Sequence, residues 1–159
     1  MNKNFDLLIE KVQNASQSYE KLILIVGHNG TGKTKLLKRY ADYTNNLILN
    51  FNLALSEKLM LLPAKDWQLS ALSISQNLIL SCKQEILLLD NLEILFDAQL
   101  LLNPVKLLKS VSRNQMIVMT WNGSFENGRL IYARPGHSEY RSETNIDFPV
   151  IDLNEQSKA

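Results

Sequence analysis

The chain has 159 residues, a net charge of +1 from 17 lysines and arginines against 16 aspartates and glutamates, and one cysteine. That length suits one domain with a real core and is too short for a nucleotide-binding core plus a large second domain. The balanced charge gives no global electrostatic case for nucleic acid or an acidic membrane. The lone Cys82 excludes an intrachain disulfide framework, and with no charged-then-apolar leader and no membrane-length apolar run the reading is a soluble, cytoplasmic protein without a membrane partner.

Phe5, Leu8, Ile9 and Val12 recur at helical spacing and predict an amphipathic helix over residues 1–13. After a polar link at 14–18, the wholly apolar run to Val26 predicts a core strand over 21–26, covered on both faces. It delivers the chain into Gly27-His28-Asn29-Gly30-Thr31-Gly32-Lys33-Thr34, a complete G-x-x-x-x-G-K-[ST] pattern. A helix over 33–43 leaves it, with Leu36, Leu37 and Tyr40 inward. Residues 47–51 read as a second strand, and 53–62 as a helix stopped by Pro63. Residues 64–66 read as a loop, and the later part of 67–83 as a helix.

A third apolar strand over 85–89 ends in Asp90. Asn103 and Pro104 spell the cap and first position of another helix. A fourth strand over 115–121 ends in Asn122; Asn122-Gly123 and Asn127-Gly128 are turn signals, and residues 129–133 read as a strand. No helix-length segment separates these two strands, which predicts an antiparallel hairpin between them. A last strand is expected over 148–153 and a frayed tail over 154–159, leaving 1–153 as a single domain. Strands alternating with helices indicate an α/β domain of three layers, α/β/α, with a mainly parallel sheet. Ligands of such sheets sit beyond the carboxyl ends of the strands, which brings the glycine loop, Asp90 and Asn122 to one rim.

The eight-residue loop is a phosphate-binding signature. Backbone N–H groups and a helix N-terminus converge on an anion, Lys33 reaches the β- and γ-phosphates, and the Thr34 hydroxyl ligates Mg²⁺. Asp90 at the end of an apolar strand is the Walker B partner for the same ion. The nucleotide is ATP or another NTP. Hydrolysis also needs a group that orients or deprotonates water. Many P-loop ATPases with an added central strand place Glu directly after the Walker B Asp; here Asn91 holds that position and the nearest carboxylate is Glu93. Glu93 reads two ways: as the water-activating group if the chain turns sharply after Asp90, or as a helix-start carboxylate favoured by the dipole, in which case Asn91 positions the water without acting as a base and turnover is slow. Asn122 reads as a polar sensor of the γ-phosphate or as part of a plain Asn-Gly turn. Arg113, Arg129, Arg134 and Arg141 are candidates for an arginine finger supplied in trans, and Arg134 and Arg141 flank the irregular loop 135–140. His28 and His137 lack partners at metal-site spacing. Tyr19 and the first helix are candidate neighbours of the nucleotide base.

Together GHNGTGKT, LILNFNLALSEKLMLLP, ILLLDNLEILFD, SRNQMIVMTWNG and LIYARPGHSEYR resemble the BrxF family, small P-loop NTPases of type 3 BREX (bacteriophage exclusion) systems. The likeness spans about residues 21–140, with D-N-x-E, W-N-G and A-x-P-G-H-x-E-Y as its more specific parts. It implies a cytoplasmic NTPase that works with other BREX proteins in a complex that modifies and senses DNA. Any DNA contact is then weak and salt-sensitive, made through an oligomer or a partner. The chain also resembles a minimal AAA-like core, but without a C-terminal helical lid. The leading expectation is a Mg²⁺-dependent ATPase, homo-oligomeric, with a shared site. The alternatives are a nucleotide-binding adaptor with little hydrolysis, which Asn91 in place of Glu motivates, and a small kinase.

Overall fold

The computed structural model describes residues 3–154. The chain runs α1 (Lys3–Ala15), β1 (Leu22–Gly27), α2 (Lys33–Thr44), β2 (Ile48–Asn50), α3 (Phe51–Leu59), α4 (Trp67–Leu80), β3 (Ile86–Asp90), α5 (Pro104–Val111), β4 (Met116–Asn122), β5 (Ser124–Glu126), β6 (Arg129–Tyr132), β7 (Arg141–Glu143) and β8 (Val150–Asp152). Short 3-10 turns lie at Ala64–Asp66 and Glu93–Phe96. Residues 1, 2 and 155–159, parts of the expected first helix and tail, lie outside the described residues.

Five strands form one sheet in the order β2-β3-β4-β1-β8, every neighbour parallel. The alternation of side chains along β1 splits the core. Leu22, Leu24 and Val26 face the layer of α3, α4 and α5, while Ile23 and Ile25 face α1 and α2. All five are fully buried, each worth about 1.5–3 kcal/mol relative to exposure. This explains why β1 is apolar at every position: it has no solvent face. The result is an α/β fold with helices on both faces of a parallel sheet. Among the described residues, no helix is long and apolar enough to cross a membrane.

Local signals set most boundaries. The Asn103 side chain accepts from Lys106 N at 3.1 Å and Pro104 takes the first helical position, as expected. Asn50 accepts from Leu53 N at 3.1 Å and so opens α3 two residues before the expected start. Helix α4 begins at Trp67 rather than later, because the Trp67 indole N–H donates to Leu59 O at 2.7 Å and Leu62 O at 3.1 Å, tying α4 to the end of α3. The segment 64–66 is a 3-10 turn after Pro63 rather than an irregular loop.

The hairpin differs from its expectation. β6 pairs antiparallel with β5 and β7 in a separate three-stranded sheet, not with β4. The two-residue turn is Asn127-Gly128, both at positive φ (52° and 75°), as a type I′ turn requires. At 122–123 there is no tight turn: β4 runs on into β5 through Gly123, whose N–H donates to Gly27 O at 3.2 Å. A Cβ on Gly123 would lie 2.0 Å from Ile131 O, so only glycine lets β6 close over the end of β4. Phe96 and Tyr132 stack at 3.6 Å between ring centroids, and Trp121 meets Phe96 edge-on at 5.0 Å. This aromatic cluster fastens the small sheet above the carboxyl end of the large one.

Candidate functional site

The register puts the chemistry on one rim. Gly27 of β1 pairs with Asn122 of β4, and Asn50 of β2 pairs with Asp90 of β3. The chain leaves β1 through the loop 27–34 and enters α2. Gly32 precedes that helix at φ 96° with no side-chain cap, and nothing lies within 4 Å of where its Cβ would stand. Gly32, Lys33, Thr34 and Lys35 line an open cavity at the uncapped start of the helix, the setting in which helix N-termini meet anions. Thr31 closes the loop on itself, its hydroxyl and its N–H both donating to His28 O at 2.8 and 3.2 Å. Lys33 is buried, and its Nζ donates to the same His28 carbonyl at 3.1 Å. Burial lowers the Lys33 pKa below its ordinary 10.5, against the upward pull of Asp90 and Glu93.

Beside this cradle, the Thr34 hydroxyl donates to Asp90 Oδ2 at 3.0 Å. The other carboxylate oxygen accepts from the Thr120 hydroxyl at 2.5 Å and from Asn91 N at 3.0 Å. Asp90 is buried and held by three donors. Thr34 and Asp90 bring together two hard oxygen donors of the kind Mg²⁺ takes. Among the described residues, no three His, Cys, Asp or Glu side chains gather as a denser ligand set.

The sharp turn that Glu93 needs is present. Asn91 adopts φ 58°, a left-handed conformation that asparagine tolerates better than most residues, and its carbonyl accepts from Asn52 N at 2.8 Å. Glu93 opens the following 3-10 turn and still lines the same cavity as Gly32, Lys33, Thr34 and Asp90. The Asn52 amide donates to Glu93 Oε2 at 2.9 Å, and the Asn122 amide donates to Glu93 Oε1. Asn52 Oδ1 in turn accepts from Ile94 N at 2.8 Å. Two side chains from different elements thus fix one carboxylate. Asn52 has no short motif of its own: it sits in the first turn of α3, and its role arises only because β2 pairs with β3.

Three cavities meet at Glu93. The cradle itself encloses about 300 Å³. A second, of about 550 Å³, opens toward Asn52, Ser56, Asp97 and Glu139. A third, of about 430 Å³, opens toward His28, Asn122, Tyr132, Arg134 and His137. Tyr132 is buried except for this opening, and burial, with Glu139 and Glu93 nearby, pushes its hydroxyl up to about 12. It therefore stays a neutral donor at physiological pH.

The arginines part company. Arg134 lines the 430 Å³ cavity of its own chain. Arg141 is tied to Glu143 Oε1 at 3.0 Å and to Leu102 O at 3.3 Å, and Arg129 donates to Ser142 Oγ at 2.9 Å. Arg113 lies at the opposite end of the sheet, its guanidinium 5.0 Å from the Tyr19 ring. Tyr19 precedes β1, so it stands a strand length, about 20 Å, from the glycine loop. The structure does not bring it to the rim. Asn154, expected to open the frayed tail, is buried. Its Oδ1 accepts from His28 N at 3.0 Å and its Nδ2 donates to Gly123 O at 2.9 Å, bridging the glycine loop to the end of β4. The signal for Asn154 was positional only: it comes two residues after β8, the last strand of the large sheet. Cys82 is half-buried, donates to Leu78 O at 3.2 Å, and has its thiol pKa pushed up by burial. No protein-family model, curated protein or solved structure matches the chain.

Proposed function

We propose that the chain is a P-loop NTPase, a minimal AAA-like core without a helical lid, that binds ATP or another NTP with Mg²⁺ at loop 27–34 and hydrolyses it. One observation carries this reading: beside the uncapped start of α2, the Thr34 hydroxyl and the Asp90 carboxylate meet at 3.0 Å, with Glu93 in the same cavity. The position of β4 between β1 and β3 supports it as well, since it sets the end of β4, with Asn122, between the glycine loop and Asp90. Thr34 and Asp90 would hold the ion, which screens phosphate charge. Lys33 would neutralise the terminal phosphates. Glu93 would take the proton of the attacking water, with Asn52 and Asn122 holding its carboxylate toward the cavity. The BrxF resemblance supplies the setting, a nucleotide-driven component of a bacterial phage-defence complex in the cytoplasm.

A second reading has its own support. Both oxygens of Glu93 are already occupied by amides, which suits a nucleotide-binding adaptor whose hydrolysis waits for a partner.

Phosphate release from Mg-ATP, measured across a wide range of protein concentration with Lys33→Ala as control, decides between them. The expected result is release that the substitution lowers by at least about 100-fold. Tight ATP binding without release supports the adaptor. Phosphate on an added alcohol rather than in water means a kinase. Absence of any ATP binding ends the reading.

A further inference from the structure

The five arginines of the chain divide by what they touch. Arg39 lies 4.0 Å from the Phe5 ring centroid and Arg113 5.0 Å from that of Tyr19. Arg129 and Arg141 are hydrogen-bonded, as described above. Arg134 is the exception. Among the described residues, its guanidinium has no hydrogen-bond, ion-pair or ring partner.

Its position gives that vacancy a direction. Arg134 lines the 430 Å³ cavity, which shares Asn29, Glu93 and Asn122 as a common wall with the cradle cavity. Arg134 is also held in a built turn rather than on a loose tip. His137 N donates to Arg134 O at 3.0 Å, Tyr140 N to His137 O at 3.1 Å, and Glu139 N to His137 Nδ1 at 3.0 Å. Ala133 just before it takes φ 64°, a strained value for alanine, and Tyr132 before that is fixed by its stack on Phe96. The guanidinium makes no ion pair, although Glu93 and Glu139 line the same cavity, and an ordered loop presents it beside the cradle, which leaves its donors available to an anion.

We propose that Arg134 contacts the terminal phosphate of the nucleotide held by its own chain, and so makes the site prefer a nucleoside triphosphate over a diphosphate. The proposal rests on the nucleotide reading above and differs from a finger lent by a neighbour: each chain carries its own.

The test is titration of ATP and ADP, with Mg²⁺, into the wild-type chain, Arg134→Gln and Arg134→Lys, at concentrations where sedimentation shows a monomer. Circular dichroism melts of the variants confirm folding; the side chain is exposed and unpartnered. Arg134→Gln should weaken ATP binding by about tenfold or more and leave ADP binding within about twofold, with Arg134→Lys between. Unchanged ATP binding in Arg134→Gln overturns this proposal and leaves the nucleotide reading standing. At higher concentrations, where sedimentation shows association, recovery of ATP preference when a Lys33→Ala chain, which keeps Arg134, is added to Arg134→Gln overturns it as well, since the cation would then come from a neighbour. A wild-type chain that binds neither nucleotide overturns both.

Discussion

The two ends of the parallel sheet use the same polar residue types for opposite purposes. At the amino end, polar groups close on one another or on backbone. Lys109 bridges Glu20 at 3.8 Å and Asp147 at 3.2 Å, Lys21 Nζ donates to Arg113 O at 3.1 Å, and Gln115 donates to Gln84 O at 2.8 Å. At the carboxyl end, hydroxyls and amides instead hold two carboxylates, Asp90 and Glu93, against open cavities. Satisfied pairs that enclose no space are structural ties. Satisfied pairs that aim a carboxylate into a space beside a helix N-terminus are, on the proposed reading, preorganisation for a ligand.

The largest effect that would sharpen this contrast is at Glu93. Glu93→Gln should lower phosphate release by about 10²- to 10⁴-fold, the usual span for loss of a general base, while nucleotide affinity holds. Asn52→Ala should lower release by about tenfold, since it acts by holding Glu93. In the double variant it should add nothing to the loss from Glu93→Gln, because the two share one path. An Asn52→Ala chain that hydrolyses faster than the wild type would instead make the amide clamp a restraint, and would favour the adaptor reading.

A smaller effect follows from Lys33. Burial lowers its pKa from 10.5, and nearby negative charge raises it. A bound polyphosphate adds such charge, so binding shifts the Lys33 pKa upward. Between the depressed value and 10.5 the free protein has begun to lose this proton, and binding must take one up. Nucleotide affinity should therefore be flat below that window and fall as pH rises through it. Calorimetric titrations in two buffers of different ionisation enthalpy read the proton uptake directly. Affinity that stays level across the alkaline range would remove Lys33 from contact with the phosphates.

What the sequence carried, and what it did not, follows the same division by distance along the chain. The mainly parallel sheet, the common rim of the loop, Asp90 and Asn122, the Asn103-Pro104 helix start and the Asn127-Gly128 turn rest on short-range patterns, and each was legible, whereas the order of the strands was not. The clamp on Glu93 was not, since Asn52 lies 41 residues from Glu93 and meets it only through strand pairing. The Asn154 bridge to His28 spans 126 residues. Thr120 sits inside an apolar strand, where a hydroxyl reads as a tolerated substitute for valine until its buried partner Asp90 is seen. Strand β7 was missed because Arg141-Ser142-Glu143 has no apolar alternation; its pairing with β6 makes it a strand.

The smallest expected effect tests the amino end. The Arg113 guanidinium rests over Tyr19 and its carbonyl accepts from Lys21, a local tie. Arg113→Ala should cost about 0.5–1 kcal/mol, a fall in Tm of roughly 1–4 °C in a domain of this size. Phosphate release per chain should stay within about twofold of the wild type, at low and high protein concentration alike. If release instead collapses only where the protein associates, the amino end of one chain must reach the carboxyl rim of another. Arg113 would then be the cation lent in trans, and the two ends of the sheet would be halves of a single site.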